Sequence, residues 1–319
     1  QNQIVNWVNS YKSDPGVLIW DIGNEVILQA SKYFSGTTLE NDRICYAKFV
    51  NQVSQAIHAA DPNHPTTSTD AWTGAWPYYA SYSPDLDLLA VNSYGGICTV
   101  QSSWAAGPSG SGPSYTKPYI VTEFGNKGEW EVPNDSNGVP LEPTDPQKAQ
   151  AYKDAWVCIT GSNGNGAAGV SLGATAFIYG NKNDFGGVWF NDEYSTSMTK
   201  RLSYFAQYQM YTGVASTANQ PPVNQGMTLS QTSGIVKGST FTVTTNFVDP
   251  DADPMTFNVM LCEKYINSST TLTNATFTQT GPQTFTVTAP STSGVWKIYV
   301  YAFDNHNNVG IESASFAVQ

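Results

Sequence analysis

The stretch GVLIWDIGNEV, residues 16–26, decides which fold we expect for this chain. Val17 to Trp20 form a short apolar run, which is typical of a strand buried on both faces of a parallel sheet. The run stops at Asp21, and Asn24 and Glu25 follow shortly after it. The carboxyl ends of strands are where the chemistry of an α/β barrel is located. The stretch therefore predicts a strand that ends in a carboxyl group with an amide beside it, although Glu25 alone could simply begin the next loop or helix.

A second stretch repeats this pattern. Residues 119–122, YIVT, run directly into Glu123. When strands and helices alternate, the carboxyl ends of all the parallel strands meet at one rim of a barrel. We therefore expect Glu25 and Glu123 to lie at the same rim, and the second carboxylate favours a catalytic interpretation of the first.

Composition excludes several classes of partner. The chain has 319 residues, a net charge of -11 and only 12% charged residues, without any cluster of Lys and Arg. Such a surface cannot neutralise phosphates, so we expect no nucleic acid and no membrane as a partner. Its 9 Trp and 18 Tyr suit sugar binding, although core packing is the commoner use of an aromatic side chain.

Cysteines and sequons indicate a secreted, extracellular glycoprotein. The four cysteines allow three pairings, among which the sequence does not choose: Cys45, Cys98, Cys158 and Cys262. They lack the spacing of zinc ligands, so we expect no metal and no cofactor. Three Asn-X-Ser/Thr triplets are candidates for N-glycosylation: Asn134, Asn267 and Asn274.

Helices and strands are predicted to alternate through residue 212. The predicted helices cover residues 4–13, 41–60, 147–159 and 198–211, and the predicted strands cover residues 17–22, 65–70, 86–91, 119–123 and 173–179. Five strands with one leading helix correspond to strands four to eight of a (β/α)8 TIM barrel. Either a separate polypeptide supplies the first three strands or the sequence is truncated. An open five-stranded sheet would expose an apolar edge.

A second, all-β domain is predicted after residue 213. Residues 214–224 are a polar, proline-bearing linker, and residues 225–319 contain short alternating runs typical of an immunoglobulin-like sandwich. The run DPDADP, residues 249–254, could bind calcium, but such a run is more often a solvated turn between strands.

These stretches together resemble clan A retaining glycoside hydrolases, especially the barrel domains of family 2-like proteins and their family 5-like relatives. The motifs are IWDIGNEV, DLLAVNSYGG, KPYIVTEFG and LGATAFIYGNK, followed by VWF, within residues 1–212. DPDADPMTF and APSTSGVWKIYVYAFD are similar to the immunoglobulin-like modules that usually follow such barrels. Each motif is weak alone, but all four come in the expected order.

The resemblance implies a role for several residues. Glu25 would be the general acid/base and Glu123 the nucleophile, while Asn24 would bind the sugar 2-hydroxyl and Tyr94 would orient the nucleophile. Candidates for stacking on sugar rings are Trp72, Trp76, Trp130 and Tyr179, each of which could equally pack a loop. The family usually has Trp where this chain has Tyr179, and it takes further substrate contacts from the first three strands.

The sequence thus predicts a secreted glycoside hydrolase or transglycosylase that acts on a β-linked, glucan-like polysaccharide or oligosaccharide by double displacement. A separate polypeptide that completes the barrel is a predicted partner. The alternative is a non-catalytic carbohydrate-binding or matrix protein that has kept the barrel scaffold.

Overall fold

The computed structural model describes residues 2–161, 169–179, 189–190, 199–263 and 272–319. The chain divides into two compact units, each built from separate segments. The first comprises residues 1–124 and 155–175, and the second comprises residues 125–154 and 176–319. The predicted domains, in contrast, are consecutive in sequence, and their limits remain a prediction.

A five-stranded parallel sheet organises the first unit. Its strands follow chain order across the sheet: β1 (Trp20–Asn24), β2 (Thr66–Asp70), β3 (Leu89–Asn92), β4 (Tyr119–Phe124) and β5 (Ser171–Ala176). Helix α1 (Asn2–Tyr11) precedes β1. The helices between the strands are α2 (Val26–Gln29), α3 (Gly36–Ala60), α4 (Trp76–Tyr82), α5 (Val100–Ala106) and α6 (Asp145–Thr160), the last of which begins in the second unit. This is the α/β alternation that the sequence predicts for strands of a barrel. Among the described residues, no helix is long and apolar enough to cross a membrane.

The apolar face of α3 explains why this long helix lies on the sheet. Val53 and Ile57 are one turn apart and pack against Val8 of α1, with Trp20 and Ile22 of β1 beside them. Such spacing predicts a helix with one buried stripe, and the observed helix extends the predicted one by five residues at its start.

The predicted position of β1 is wrong by three residues. The apolar run Val17 to Ile19 precedes the strand, and the side chain of Leu18 is 76% exposed. The strand itself is the more polar WDIGN, whose Trp20 donates from its indole nitrogen to Asp61 Oδ2 at 2.8 Å. A prediction based on apolar runs misses the polar residues Asp21 and Asn24 of this strand.

Strand β2 is polar and yet completely buried. Its sequence is TTSTD, and hydroxyl partners explain how it is accommodated. Thr67 donates to the carbonyl oxygen of Leu88 at 3.1 Å, and Ser68 donates to the Tyr79 hydroxyl at 3.2 Å. Buried hydroxyl groups are tolerated when they are hydrogen-bonded in this way.

One disulfide closes within the first unit. It joins Cys98, between β3 and α5, to Cys158 near the end of α6. This pairing was left open by the sequence. Cys45 and Cys262 are free thiols, the first exposed and the second buried.

The second unit contains the predicted sandwich. One sheet has the order β10–β11–β7–β6 and the other β13–β12–β8–β9. The strands are β6 (Val223–Leu229), β7 (Thr240–Val248), β8 (Thr256–Glu263), β9 (Leu272–Asn274), β10 (Phe277–Gly281), β11 (Thr284–Thr288), β12 (Gly294–Phe303) and β13 (Val309–Val318), preceded by helix α7 (Leu202–Thr212). Val243, Val259, Phe285 and Ile298 from both sheets meet in one buried cluster. Strands β6, β9 and β10 were not predicted, because they are short or start within the polar linker.

A buried ionic cluster lies inside the second unit. Glu142 forms ion pairs with Lys148 of α6 and with Lys297 of β12, and Asp145 pairs with Arg201. Asp145 also accepts from the backbone nitrogen of Ile311 at 2.9 Å. These bonds attach the segment before α6 to the sandwich strands, so this segment belongs to the same compact unit.

Candidate active site

Glu25 occupies the junction between β1 and α2. Its backbone is left-handed, with φ of 61°, and its amide donates to the carbonyl oxygen of Thr69 at 3.0 Å. The Glu25 carbonyl oxygen accepts a hydrogen bond from the Gln29 backbone amide. The Gln29 side-chain amide donates to Glu25 Oε2 at 3.3 Å. A residue held in this conformation at a strand end is a reason to look for function there.

Asp70 supports the helix that follows Glu25. Its carboxylate accepts hydrogen bonds from the backbone amides of Ile27 and Leu28 at 2.9 and 3.2 Å. These amides lie in the first turn of α2, where the helix itself provides no acceptor for them. Burial raises the pKa of Asp70 to about 6, against the effect of these hydrogen bonds, and the charge of Glu25 adds to the rise. Nothing in the sequence marks Asp70 as functional, since it ends a short polar strand.

Asn92 connects the two predicted catalytic residues. Its side-chain nitrogen donates to Glu25 Oε1 at 2.9 Å and to Asn24 Oδ1 at 3.0 Å. Its side-chain oxygen accepts from Thr122 at 2.9 Å, so the direction of this buried amide is determined by its partners. In the pairing of β3 with β4, Asn92 lies opposite Glu123. Asn92 therefore contacts Glu25 through its side chain and adjoins Glu123 through its backbone.

Glu123 is held by the loop that follows β3. The Tyr94 hydroxyl donates to Glu123 Oε2 at 2.7 Å, and the Ser93 amide donates to the Glu123 carbonyl oxygen at 2.8 Å. The contact predicted between Tyr94 and Glu123 is present. A phenol donor stabilises the ionised form of a carboxylate.

The four aromatic candidates differ in exposure. Trp72, in the first unit, is 41% exposed and has the Arg43 guanidinium 5.5 Å from its ring centre. Trp76 is fully buried and donates to the carbonyl oxygen of Ala90 at 3.0 Å, so its predicted contact with sugar is wrong and it is a core residue. In the second unit, Trp130 and Tyr179 are 62% and 61% exposed. Their role as sugar platforms remains a prediction.

Two of the three candidate glycosylation sites lie on described, exposed residues. They are Asn134 in the second unit and Asn274 at the end of β9. Asn267 lies outside the described residues.

The first unit thus brings together Asn24, Glu25, Tyr94 and Glu123 at the carboxyl ends of β1, β3 and β4. Glu25 faces amide donors, whereas Glu123 receives a phenol hydroxyl. Two carboxyl groups, each held by its own donor at one edge of the sheet, are the groups that acid/base chemistry requires.

No protein-family model matches the chain, and no curated protein sequence matches it. Among solved structures, it is similar to a Bacteroides uniformis beta-glucuronidase at 11% identity and a TM-score of 0.43, covering 99% of this chain and 36% of that chain. It is also similar to a beta-1,4-mannanase of the sea hare Aplysia kurodai at 15% identity and a TM-score of 0.32, covering 54% and 52%. A third similar structure is the PKD domain of an M14-like peptidase from Thermoplasmatales archaeon SCGC AB-540-F20, at 20% identity and a TM-score of 0.23, covering 32% and 98%.

The chain spans about a third of the length of this beta-glucuronidase. Two of these three structural neighbours are named as glycoside hydrolases. Similarity at these TM-scores carries no argument about activity, which must come from the geometry of the site.

Proposed function

We propose that the chain carries the catalytic glutamates of a retaining glycoside hydrolase or transglycosylase. The observation that carries the proposal is the placement of Asn92, which bonds to Glu25 and pairs in the sheet with Glu123. Two carboxyl groups at the carboxyl ends of β1 and β4 of one parallel sheet, each with its own hydrogen-bond donor, are the kind of groups that double displacement uses.

The two steps divide between the glutamates. In the first, Glu123 attacks the anomeric carbon and forms an ester with the sugar while the glycosidic C–O bond breaks. Glu25 gives its proton to the departing oxygen. In the second, Glu25 takes a proton from water or from a sugar hydroxyl, whose oxygen bonds to the anomeric carbon as the ester breaks.

The neighbouring side chains orient this chemistry. Asn92 holds Glu25 and Asn24 together, so that the Asn24 amide group is available to a sugar 2-hydroxyl beside the acid/base residue. The Tyr94 hydroxyl keeps Glu123 oriented toward its target and stabilises its charge before attack. Exposed aromatic residues at the rim, with Trp72 the candidate in the same unit, provide stacking faces for a β-linked polysaccharide.

A complete eight-stranded barrel needs three strands more than the five described. We propose that polypeptide outside these 319 residues supplies the three further strands, next to β1. We also propose that the protein works outside the cell.

Covalent labelling tests the proposal. A panel of 2-deoxy-2-fluoro glycosyl fluorides is incubated with protein purified from its source, so that any partner polypeptide is retained, and the peptides are mapped. The fluorine slows hydrolysis of the glycosyl-enzyme ester, so we expect a label on Glu123 and none in a Glu123→Gln variant. A label on another carboxylate would overturn the assignment, and failure of every sugar to label would favour the non-catalytic carbohydrate-binding alternative.

A further inference from the structure

Three aspartates meet at one end of the sandwich. Asp249 follows β7, Asp253 precedes β8 and Asp304 follows β12. These turns are neighbours because β12 pairs with β8, with Phe303 opposite Thr256. One oxygen from each of the three carboxylates lies within 4.8 Å of the others.

One buried oxygen in this cluster lacks a donor. Asp249 is 8% exposed, and its Oδ1 accepts from the amides of Asp251 and Asp253 at 2.9 and 3.0 Å. Its Oδ2 is buried and has no hydrogen-bond partner among the described residues. A buried carboxylate oxygen without a partner is costly, and such groups require an explanation such as a bound ion.

The surrounding bonds hold the other two carboxylates in place. Asp304 Oδ1 accepts from the amides of His306 and Asn308 at 2.7 and 2.9 Å. Asn219 donates to Asp253 Oδ2 at 2.5 Å and accepts from Asn308. Each carboxylate oxygen has a second lone pair, so these bonds leave the oxygens able to bind a cation.

Charge points to the same kind of ligand. Within the part of the chain that the structure describes, the ion pair at this cluster is between Asp253 and His306, 3.5 Å apart, and the histidine side chain is half exposed. Three carboxylates this close repel one another unless a positive charge lies among them. A divalent cation would offset that repulsion and would also satisfy Asp249 Oδ2.

The oxygen donors select calcium. Ca²⁺ takes six to eight oxygen ligands at about 2.3–2.6 Å, so two ligands on opposite sides of one ion lie up to about 5 Å apart. The 4.8 Å limit on the three oxygens is compatible with a shared Ca²⁺. Mg²⁺ binds at about 2.0–2.1 Å and demands near-ideal octahedral geometry, a stricter requirement than that of Ca²⁺.

We propose that Asp249, Asp253 and Asp304 bind a calcium ion that joins three segments of the second unit. These are the turn from β7 to β8, the turn from β12 to β13, and the segment before β6, which Asn219 attaches to the cluster. From sequence alone, residues 249–254 are more typical of a solvated turn, and no metal is expected. The missing information was Asp304, which is distant in sequence and becomes a neighbour only through strand pairing.

Calorimetric titration with CaCl2, after removal of metals with EDTA, tests the site directly. We expect one Ca²⁺ per chain, with a dissociation constant in or below the range of about 10⁻⁴–10⁻³ M found for extracellular modules. Asp249→Asn and Asp304→Asn should each weaken binding at least about tenfold, because each removes a charged ligand. Asp251→Asn is the matched control with wild-type affinity, since Asp251 accepts from the Gln220 amide at 2.7 Å outside the cluster.

Thermal unfolding distinguishes the loss of a calcium-binding carboxylate from damage to the fold. Calcium should raise the unfolding temperature of the wild type and of Asp251→Asn, and at the same concentration should raise that of Asp249→Asn much less. In EDTA, Asp249→Asn should unfold at a temperature no lower than the wild type, because it removes a repelling charge. The proposal would be overturned if the wild type bound no calcium at 10 mM CaCl2, which is about tenfold above the upper end of the expected dissociation constants. It would also be overturned if Asp249→Asn and Asp304→Asn both bound calcium with wild-type affinity.

Discussion

Glu25 has a left-handed backbone at the point where β1 becomes α2. For a side chain with a Cβ atom this conformation costs about 1–2 kcal/mol. The amide of Glu25 bonded to Thr69, and the carboxylate of Asp70 under the next turn, offset that cost. The strain therefore places the Glu25 carboxylate at the strand end, beside Asn92, where the proposed reaction needs it.

Replacing Glu25 tests its role as the acid/base residue. In Glu25→Ala, turnover of a natural substrate should fall by about 10²–10⁴-fold, the usual contribution of general acid/base catalysis. Aryl glycosides with good leaving groups need no proton on the departing oxygen, so their first step should slow far less. Steady-state kinetics on both substrates measures the difference, and equal losses on both would contradict the role.

Tyr94 provides a second test at the level of one hydrogen bond. Tyr94→Phe removes the donor to Glu123 Oε2 and should lower kcat by about 10- to 100-fold, since a hydrogen bond to a charged group contributes about 1.5–3 kcal/mol. The matched control is Tyr78→Phe, which removes an equivalent bond of 2.6 Å to Glu40. Similar losses in both variants would show that the effect is not specific to Glu123.

Single residues of the site differ in how far the sequence reveals them. The positions of Glu25, Glu123 and Tyr94 near strand ends could be predicted from the apolar runs before them, although the run before Glu25 lies mostly outside β1. Their roles remain a prediction. Asn92 was included only in a predicted loop, and its contacts with Glu25 and Asn24 depend on the spacing of β1 and β3 across the sheet. Trp76 was misassigned because a tryptophan after a strand end carries no signal of whether it points to the core.

At the level of elements, the ionic cluster around Glu142 decides how the second unit responds to acid. Burial alone would raise the pKa of Glu142, but Lys148 and Lys297 beside it hold that pKa at about 2, below its usual value of 4.5. Burial also lowers the pKa of Lys148 to about 8. Well below pH 8 the Lys148 ammonium is therefore charged and pairs with the Glu142 carboxylate.

Acid should destabilise the second unit through Glu142. Because the pKa of Glu142 is lower in the folded state, its contribution is complete above pH 4.5 and is lost as the pH falls toward 2. A shift of this size corresponds to about 3 kcal/mol of unfolding free energy. Urea denaturation at pH 6, 4 and 3 measures the loss, and Glu142→Gln should lack that part of the pH dependence.

The same variant tests the pairing at neutral pH. Glu142→Gln leaves two buried ammonium groups without their carboxylate and should destabilise the unit by about 3–5 kcal/mol. Adding Lys148→Met to Glu142→Gln should recover part of the loss. If Lys148→Met lowers the unfolding free energy by the same amount in the Glu142→Gln variant as in the wild type, the two side chains are not coupled.

Strand positions could be predicted where the residue pattern is simple. Strands β7 and β11 have the alternating Thr and apolar residues that the sequence predicts within residues 225–319. Strand β1 was placed too early because its apolar neighbours imitate a buried strand. Strand β6 begins within the predicted linker, since a polar strand between turns has the composition of a loop.

For the molecule as a whole, the sequence predicts consecutive domains, whereas the compact units interleave segments. Residues 125–154 belong with the sandwich because Glu142 and Asp145 pair with Lys297 and Arg201 across long stretches of sequence. Charged side chains give no sign in the sequence of such long-range burial. The α/β sheet and the sandwich themselves were predicted from the change in pattern near residue 212.

The proposed completion of the barrel predicts the mass of the native protein. Native mass spectrometry of material from the source should give a mass above 34.5 kDa. The difference should be at least the mass of a polypeptide that forms three more strands and their helices. Denaturing conditions then distinguish a separate subunit, which dissociates, from a longer chain, which does not. A compact protein with a native mass of 34.5 kDa would contradict the proposal.

Acylation of the buried lysines can also measure how often the second unit opens. Lys148 and Lys297 are almost completely buried in the folded unit. An amine-selective acylating reagent can reach them only when the cluster separates from the sandwich. The rate of acylation at these two positions, followed by peptide mass spectrometry, therefore measures how often the unit opens under native conditions.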